Sequence, residues 1–243
     1  LAASSKEAEY TYVPTGNEID CPKDAAYLHL TSNNTIKGTQ YHEFPDSGSV
    51  PLICDMSSDI LSHEMNFNQF SMLYAGAQKN LGPSGVTLIV IRDDMLGRIN
   101  DKLPTIFDYR THTEKKSLFN IPPSFTIYVV KLILEWINKQ GGLKVVENNN
   151  IKKKDAIYNL IDENPDYFCA PVRQDSRSWM NIVFRLSSES LEQKFISEAN
   201  AEGFIGLKGH RSVGGIRISL YNAMTLEGAE KVADFMEEFR KNN

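Results

Sequence analysis

The sequence predicts an α/β protein in two parts, a mainly parallel sheet followed by a small α+β domain. Three observations predict it. Short, nearly continuous apolar runs recur through the first half and end in polar residues, the pattern of strands covered on both faces. The polar residues collect at the C-terminal ends of those runs, the edge at which open α/β sheets bind ligands. A glycine pair, Gly141-Gly142, then separates that half from one with longer helical patterns in the order α-β-α-β-β-α. The domains predicted are residues 1–141 and 142–243.

Taken in order, LAASSKEAEY at the start reads as the tail of a helix, and with no Met at position 1 the chain reads as a fragment of a longer one. Strands are expected within residues 25–33, 49–58, 70–78 and 85–94, each followed by a loop. Pro122-Pro123 opens a helix whose broad apolar face is expected to pack on the sheet, and Gly141-Gly142 stops it. A charged helix over 143–162, a strand over 179–186 and a helix over 190–203 follow. A strand pair is expected within 204–220. The final helix carries a cap signal at Thr225, with Glu227 and Glu230 near its positive end.

Composition narrows the function. The 243 residues carry 26 Lys+Arg against 31 Asp+Glu, a net charge of −5, so there is no basic excess to displace counterions from nucleic acid. The longest apolar stretch, residues 125–137, is broken by Lys131 and Glu135 and is too short to span a membrane. Cys21, Cys54 and Cys169 have neither disulfide nor zinc spacing. The expectation is a reduced, cytoplasmic, metal-free protein. His29, His42, His63 and His112 lack metal-ligand spacing and read as structural.

Three features could carry chemistry. Lys79 lies between an apolar strand and a Gly/Pro-rich turn, with no acidic residue within ten positions. A lysine desolvated there would have a lowered pKa and could attack carbonyls; the alternative is a solvated loop lysine. Asp55 closes the apolar run VPLIC, where a carboxylate suits a cationic ligand atom such as a protonated pyridine nitrogen. It could equally cap the segment that follows. In GLKGHRSVGGIRIS, the glycine-rich setting of His210, Arg211 and Arg217 suits bidentate recognition of carboxylate or phosphate, or else forms a basic surface hairpin.

Together, NNTIKGTQYHEFPD, CDMSSDILS, YAGAQKNLGPSGVTLIVIRDDMLG, SLFNIPPSFTIYVVKLILEW and LKGHRSVGGIRISLYNAMTLEG resemble the phosphoserine aminotransferases, fold-type I enzymes of class V that use pyridoxal 5'-phosphate. The resemblance implies that Lys79 holds the cofactor covalently and then moves the substrate proton, and that Asp55 pairs with the pyridinium nitrogen. Thr35 would bond the cofactor's phenolic oxygen, Gln78 its phosphate, and Asn120 the phosphate of the neighbouring subunit's cofactor across a homodimer interface. His210 and Arg211 would bind the substrate phosphate and Arg217 its carboxylate. The implied reaction moves an amino group from glutamate to 3-phosphohydroxypyruvate.

Two departures qualify the resemblance. Ile121 follows Asn120 where the family has Thr. Loss of that hydroxyl would cost about 1 kcal/mol of cofactor binding, unless the backbone makes the contact. Family members also carry more chain before the counterpart of Leu1, with the phosphate cup, a ring-stacking Trp and a His-Arg loop lent to the partner subunit. On that ground the chain is expected to be truncated, to retain cofactor weakly and to turn over little. The rival readings are another class-V aminotransferase and a non-catalytic dimerising fragment.

Overall fold

A computed structural model describes residues 1–243. Strand β1 (Leu28–Thr31) leads into a small hairpin, β2 (Asn33–Asn34) with β3 (Thr39–Gln40). β4 (Leu52–Asp55), β5 (Met72–Gly76) and β6 (Thr87–Ile91) join β1 in one sheet of order β1-β4-β5-β6. The first three strands are parallel and β6 runs antiparallel to β5. Each predicted strand is present at its expected place. Their register sets Thr31, Asp55 and Tyr74 in one row at the C-terminal edge. Below that edge Leu52, Cys54, Leu73 and Ala75 are buried in one apolar cluster.

Coverage on both faces does not extend to β6, where Leu88, Ile89 and Val90 are 39%, 38% and 50% exposed. After the short helices α1 (Asp93–Leu96) and α2 (Tyr109–Glu114), helix α3 (Ser124–Lys139) was expected to provide that cover. It meets the sheet cluster only through a narrow stripe around Val130, against Gly82. Ile137 is its one buried residue, and Phe125 and Tyr128 remain exposed. The apolar faces of β6 and α3 therefore stay largely open.

The second half contains α4 (Leu143–Glu163), β7 (Asn181–Phe184), α5 (Glu189–Ala201), β8 (Ile216–Ser219) and α6 (Leu226–Asn242). Its own core centres on Phe184, Phe195, Phe235 and Phe239, which pack largely edge to face. The Thr225 hydroxyl caps α6 by accepting the Gly228 N–H, as its sequence predicts.

Two expectations are corrected. LAASSKEAEY is not a helix tail: Lys6–Ala8 makes one tight turn, which Glu9 and Tyr10 end at φ 55° and 62°. The strand pair within 204–220 reduces to a narrow hairpin with a single bridge, Lys208 to Ile216. The true partner of β8 is β7, because β7 brings the fully apolar Ile182 and Phe184 into the core that Ile216 and Ile218 face.

Lys153 sits in the charged run Lys152-Lys153-Lys154, yet it is 1% exposed. Its Nζ donates to the carbonyls of Leu220 and Tyr221 at 3.1 and 3.0 Å. Burial lowers its pKa to about 8. Folding therefore opposes the charge, and the cost is fully present below pH 8 and fades as pH rises toward the unfolded value of 10.5. Denaturant unfolding should gain about 2 kcal/mol of stability from this group between pH 8 and about 9.5. In Lys153→Met that rise should be absent, and an unchanged pH slope in the variant would refute the assignment.

Candidate active site

The site assembles at the C-terminal edge of β1, β4 and β5. Asp55 ends β4, and its Oδ1 accepts both the Ser57 N–H at 2.9 Å and the Ser57 hydroxyl at 2.6 Å. The residues after it form a turn, and by accepting the Ser57 N–H the Asp55 carboxylate also caps that turn, leaving its Oδ2 for a ligand. The Asp-x-Ser spacing was the available signal for this orientation by Ser57.

Lys79 lies in the β5–β6 loop and is half-buried. The Ala77 carbonyl takes the N–H groups of both Lys79 and Gly82, at 2.6 and 2.8 Å. The neighbouring Asn80 anchors the loop: its Nδ2 donates to the Ile60 carbonyl and its Oδ1 accepts the Asn222 N–H, both at 3.0 Å. Burial lowers the Lys79 pKa; Asp55 and Asp59 pull it back up and Arg217 lowers it again. Those four side chains thus form one electrostatic cluster.

Arg217 reaches the cluster from β8. Its Nη1 donates to the Thr35 carbonyl at 3.0 Å, across 182 positions of sequence. Its Nε is buried and has no hydrogen-bond partner in the chain. An unpaired buried guanidinium donor is costly, and a ligand carboxylate would satisfy it.

Asp59 has no role in the sequence reading. It is fully buried, accepts from the Ser32 hydroxyl, and takes the Gln40 amide at 3.3 Å. Burial raises its pKa to about 7, against the pull of those two donors. Gln40 in turn accepts the Trp179 N–H at 2.8 Å. With Asn33 Nδ2 on Asn181 Oδ1 at 3.0 Å, these bonds tie the sheet edge to the second half of the chain.

The structure places Asp55 and Lys79 at the ends of the adjacent strands β4 and β5 and ties Arg217 to the Thr35 carbonyl. Gln78 and Asn120 are exposed, and no hydrogen bond links either side chain to the cluster. His210 and Arg211 lie in the loop before β8, where His210 Nδ1 pairs with the Ser212 hydroxyl at 2.8 Å and Arg211 is exposed. The remaining histidines are tied within the chain: His29 to the Tyr74 hydroxyl, His42 to the Arg177 carbonyl, His63 to Ser62 and His112 to the Ile106 carbonyl.

A half-buried lysine in the loop after β5, beside the strand end that Asp55 closes at a parallel-sheet edge, fits an aldehyde on a pyridine ring. That is the arrangement of the fold-type I, pyridoxal-phosphate-dependent aminotransferases. The family model Aminotransferase class-V matches residues 6–232. The phosphoserine aminotransferase of Geobacillus kaustophilus is 53% identical over 241 residues, 99% of this chain and 67% of that protein. The one from Niallia circulans is 52% identical over 242 residues, covering 100% and 67%. The solved phosphoserine aminotransferase from Bacillus circulans subsp. alkalophilus superposes on the whole chain with a TM-score of 0.97 at 52% identity, over 67% of its own length. A structure from Trichomonas vaginalis, described as pyridoxal-phosphate-bound, superposes on 95% of the chain at 34% identity with a TM-score of 0.88, over 65% of its own length.

The chain belongs to the class-V aminotransferases and, within them, to the phosphoserine aminotransferase family. It spans about two-thirds of the length of these relatives. Its fold is fold-type I, its cofactor is pyridoxal phosphate and its chemistry is transamination. No helix is long and apolar enough to cross a membrane.

Proposed function

We propose that the cluster at the sheet edge serves the transfer of the amino group of glutamate to 3-phosphohydroxypyruvate, giving O-phospho-L-serine and 2-oxoglutarate. The observation that carries this reading is a half-buried Lys79 beside the strand end that Asp55 closes, with an Arg217 whose buried Nε has no partner in the chain. Pyridoxal phosphate, when bound, supplies a carbonyl that accepts the amino group and a cationic ring that draws electrons from the substrate Cα. Lys79 would hold it covalently and would carry a proton to and from the substrate Cα. Asp55, fixed by Ser57, keeps the ring nitrogen protonated. Thr35 bonds the phenolic oxygen, and Gln78 and Asn120 serve phosphate groups. Arg217 clamps the α-carboxylate, while His210 and Arg211 take the phosphate of the phosphorylated substrate.

The working unit in this proposal is a homodimer in which Asn120 reaches the partner's cofactor. The exposure of Asn120, Ile121 and Phe125 side by side supports it. Domains of residues 1–141 and 142–243 are part of the proposal, supported by the two separate apolar cores and by Gly141 and Gly142 at φ 107° and 83°. So is a cytoplasmic location, supported by three unpaired cysteines.

The test is to titrate the chain with pyridoxal phosphate, reduce with borohydride, map the modified peptide, and assay O-phospho-L-serine with 2-oxoglutarate against L-serine and L-alanine. The expected result is a visible band, a mass addition on Lys79 and preference for the phosphorylated substrate. Modification of other lysines only, or equal rates with alanine, would overturn the proposal. In Arg217→Met, binding of 2-oxoglutarate should weaken by about 100-fold, since charge-assisted bonds to the carboxylate are lost. Arg217→Lys should recover little of it, because a single ammonium cannot replace the fork. Titration calorimetry reads both.

A further inference from the structure

Residues 208–215 form the loop that carries His210 and Arg211. Its backbone closes on itself: Gly209 N–H donates to the Gly215 carbonyl at 2.8 Å, and Val213 and Gly214 N–H donate to the His210 carbonyl at 3.0 and 2.9 Å. One side chain from outside ties into it. Arg185, just after β7, donates from Nη1 to the Val213 carbonyl at 3.0 Å. The same guanidinium donates from Nε to Glu192 Oε1 at 2.5 Å.

Glu192 is itself locked. It lies in the first turn of α5, its side chain is 7% exposed, and the same Oε1 accepts the Leu186 N–H at 3.3 Å. The loop is shaped to receive the guanidinium. Gly214 and Gly215 hold φ of 71° and 72°, a region that favours glycine. A Cβ on Gly215 would stand 2.6 Å from Arg185 Cδ and 3.3 Å from its Nε. At Gly215 the space that a side chain would fill is taken by the Arg185 stem and the Phe184 carbonyl, and Gly214 lies in van der Waals contact with the fork. Two residues beyond Gly215, the same backbone delivers Arg217 to the cluster.

We propose that Arg185, held by Glu192, is a positioning residue that fixes the curve of the 208–215 loop and so sets how well the site tells a phosphorylated substrate from its unphosphorylated counterpart. This rests on the reading that His210 and Arg211 bind the substrate phosphate. Arg185 acts through the Val213 carbonyl. Glu192 aims the fork, and the Leu186 N–H aims Glu192.

The experiment measures two quantities on the cofactor-loaded chain: amide hydrogen exchange of residues 209–215, and the ratio of dissociation constants for L-serine and O-phospho-L-serine. Arg185→Met should speed exchange at Gly209, Val213 and Gly214 by about tenfold and leave α4 and α6 unchanged. It should lower the ratio by about tenfold through weaker O-phospho-L-serine binding, with L-serine binding unaltered. Glu192→Gln keeps an acceptor for Leu186 and Arg185 and should fall between Arg185→Met and the unmodified chain. Arg185→Lys keeps a charged stem but cannot span Glu192 and Val213 together, so it should follow Arg185→Met and replaces it if that variant does not fold. Unchanged exchange and ratio in the Arg185 variants, or equal weakening of both ligands, would overturn the proposal. Arg211→Ala is the control and should lower the ratio without changing backbone exchange. A ratio kept in Arg211→Ala but lost in Arg185→Met would refute the role of Arg211 and leave the clamp standing. Loss in Arg211→Ala with none in Arg185→Met would refute the clamp alone.

Discussion

Lys79→Ala should lower transamination by about 10⁴-fold or more and remove the borohydride-trapped mass addition, because in the proposed roles it deletes both the covalent anchor and the group that moves the Cα proton. The surroundings explain why this amine and not another carries the work. Burial lowers the pKa of Lys79 at the sheet edge, whereas Lys153, which burial also lowers, donates to the Leu220 and Tyr221 carbonyls in the second half of the chain. The charges around it predict the direction of each neighbour's effect. Asp55 raises the Lys79 pKa and Arg217 lowers it. The pH midpoint for cofactor attachment should therefore shift down in Asp55→Asn and up in Arg217→Met. A mass addition that survives Lys79→Ala at full stoichiometry, or midpoints that move the opposite way, would remove Lys79 from this role. The loop should hold its shape in the variant, since Ala77, Gly82 and Asn80 fix it through bonds that do not use the Lys79 side chain.

Asp55→Asn carries the second large effect, a fall in kcat of about 10²–10³-fold with the fold intact. The amide can keep its oxygen toward Ser57, so both bonds from that residue survive and the change is confined to charge. In the proposed role, the variant would no longer hold a positive charge on the ring nitrogen of the cofactor, whose chemistry depends on it. The unfolding midpoint should move little, which separates this outcome from a general loss of structure. Activity within a factor of about three of the unmodified chain would refute the role given to Asp55.

Much of the site was legible in the chain, for identifiable reasons. Lys79 and Asp55 stand at the ends of apolar strands, and that local pattern alone places them at the ligand edge of a sheet. The residues that support them were not legible, because their partners are remote in sequence. Asp59 meets Ser32 and Gln40, Asn80 meets Ile60 and Asn222, and Arg185 meets Val213. Lys153 is the sharpest case. Three consecutive lysines read as a solvated helix face, and only the packing of α4 on the second core turns one of them inward onto two carbonyls.

The sequence by itself determined the order and type of nearly every element, the residues facing the sheet edge and the family. Periods of two and 3.6 residues, caps and strand-end polar groups act over a few positions and are written locally. Tertiary structure decided which charges lost their water, which oxygen Arg217 found 182 positions away, and that β6 and α3 keep apolar faces open. Desolvation and long-range hydrogen bonding depend on what the folded chain brings alongside, and no local pattern encodes that.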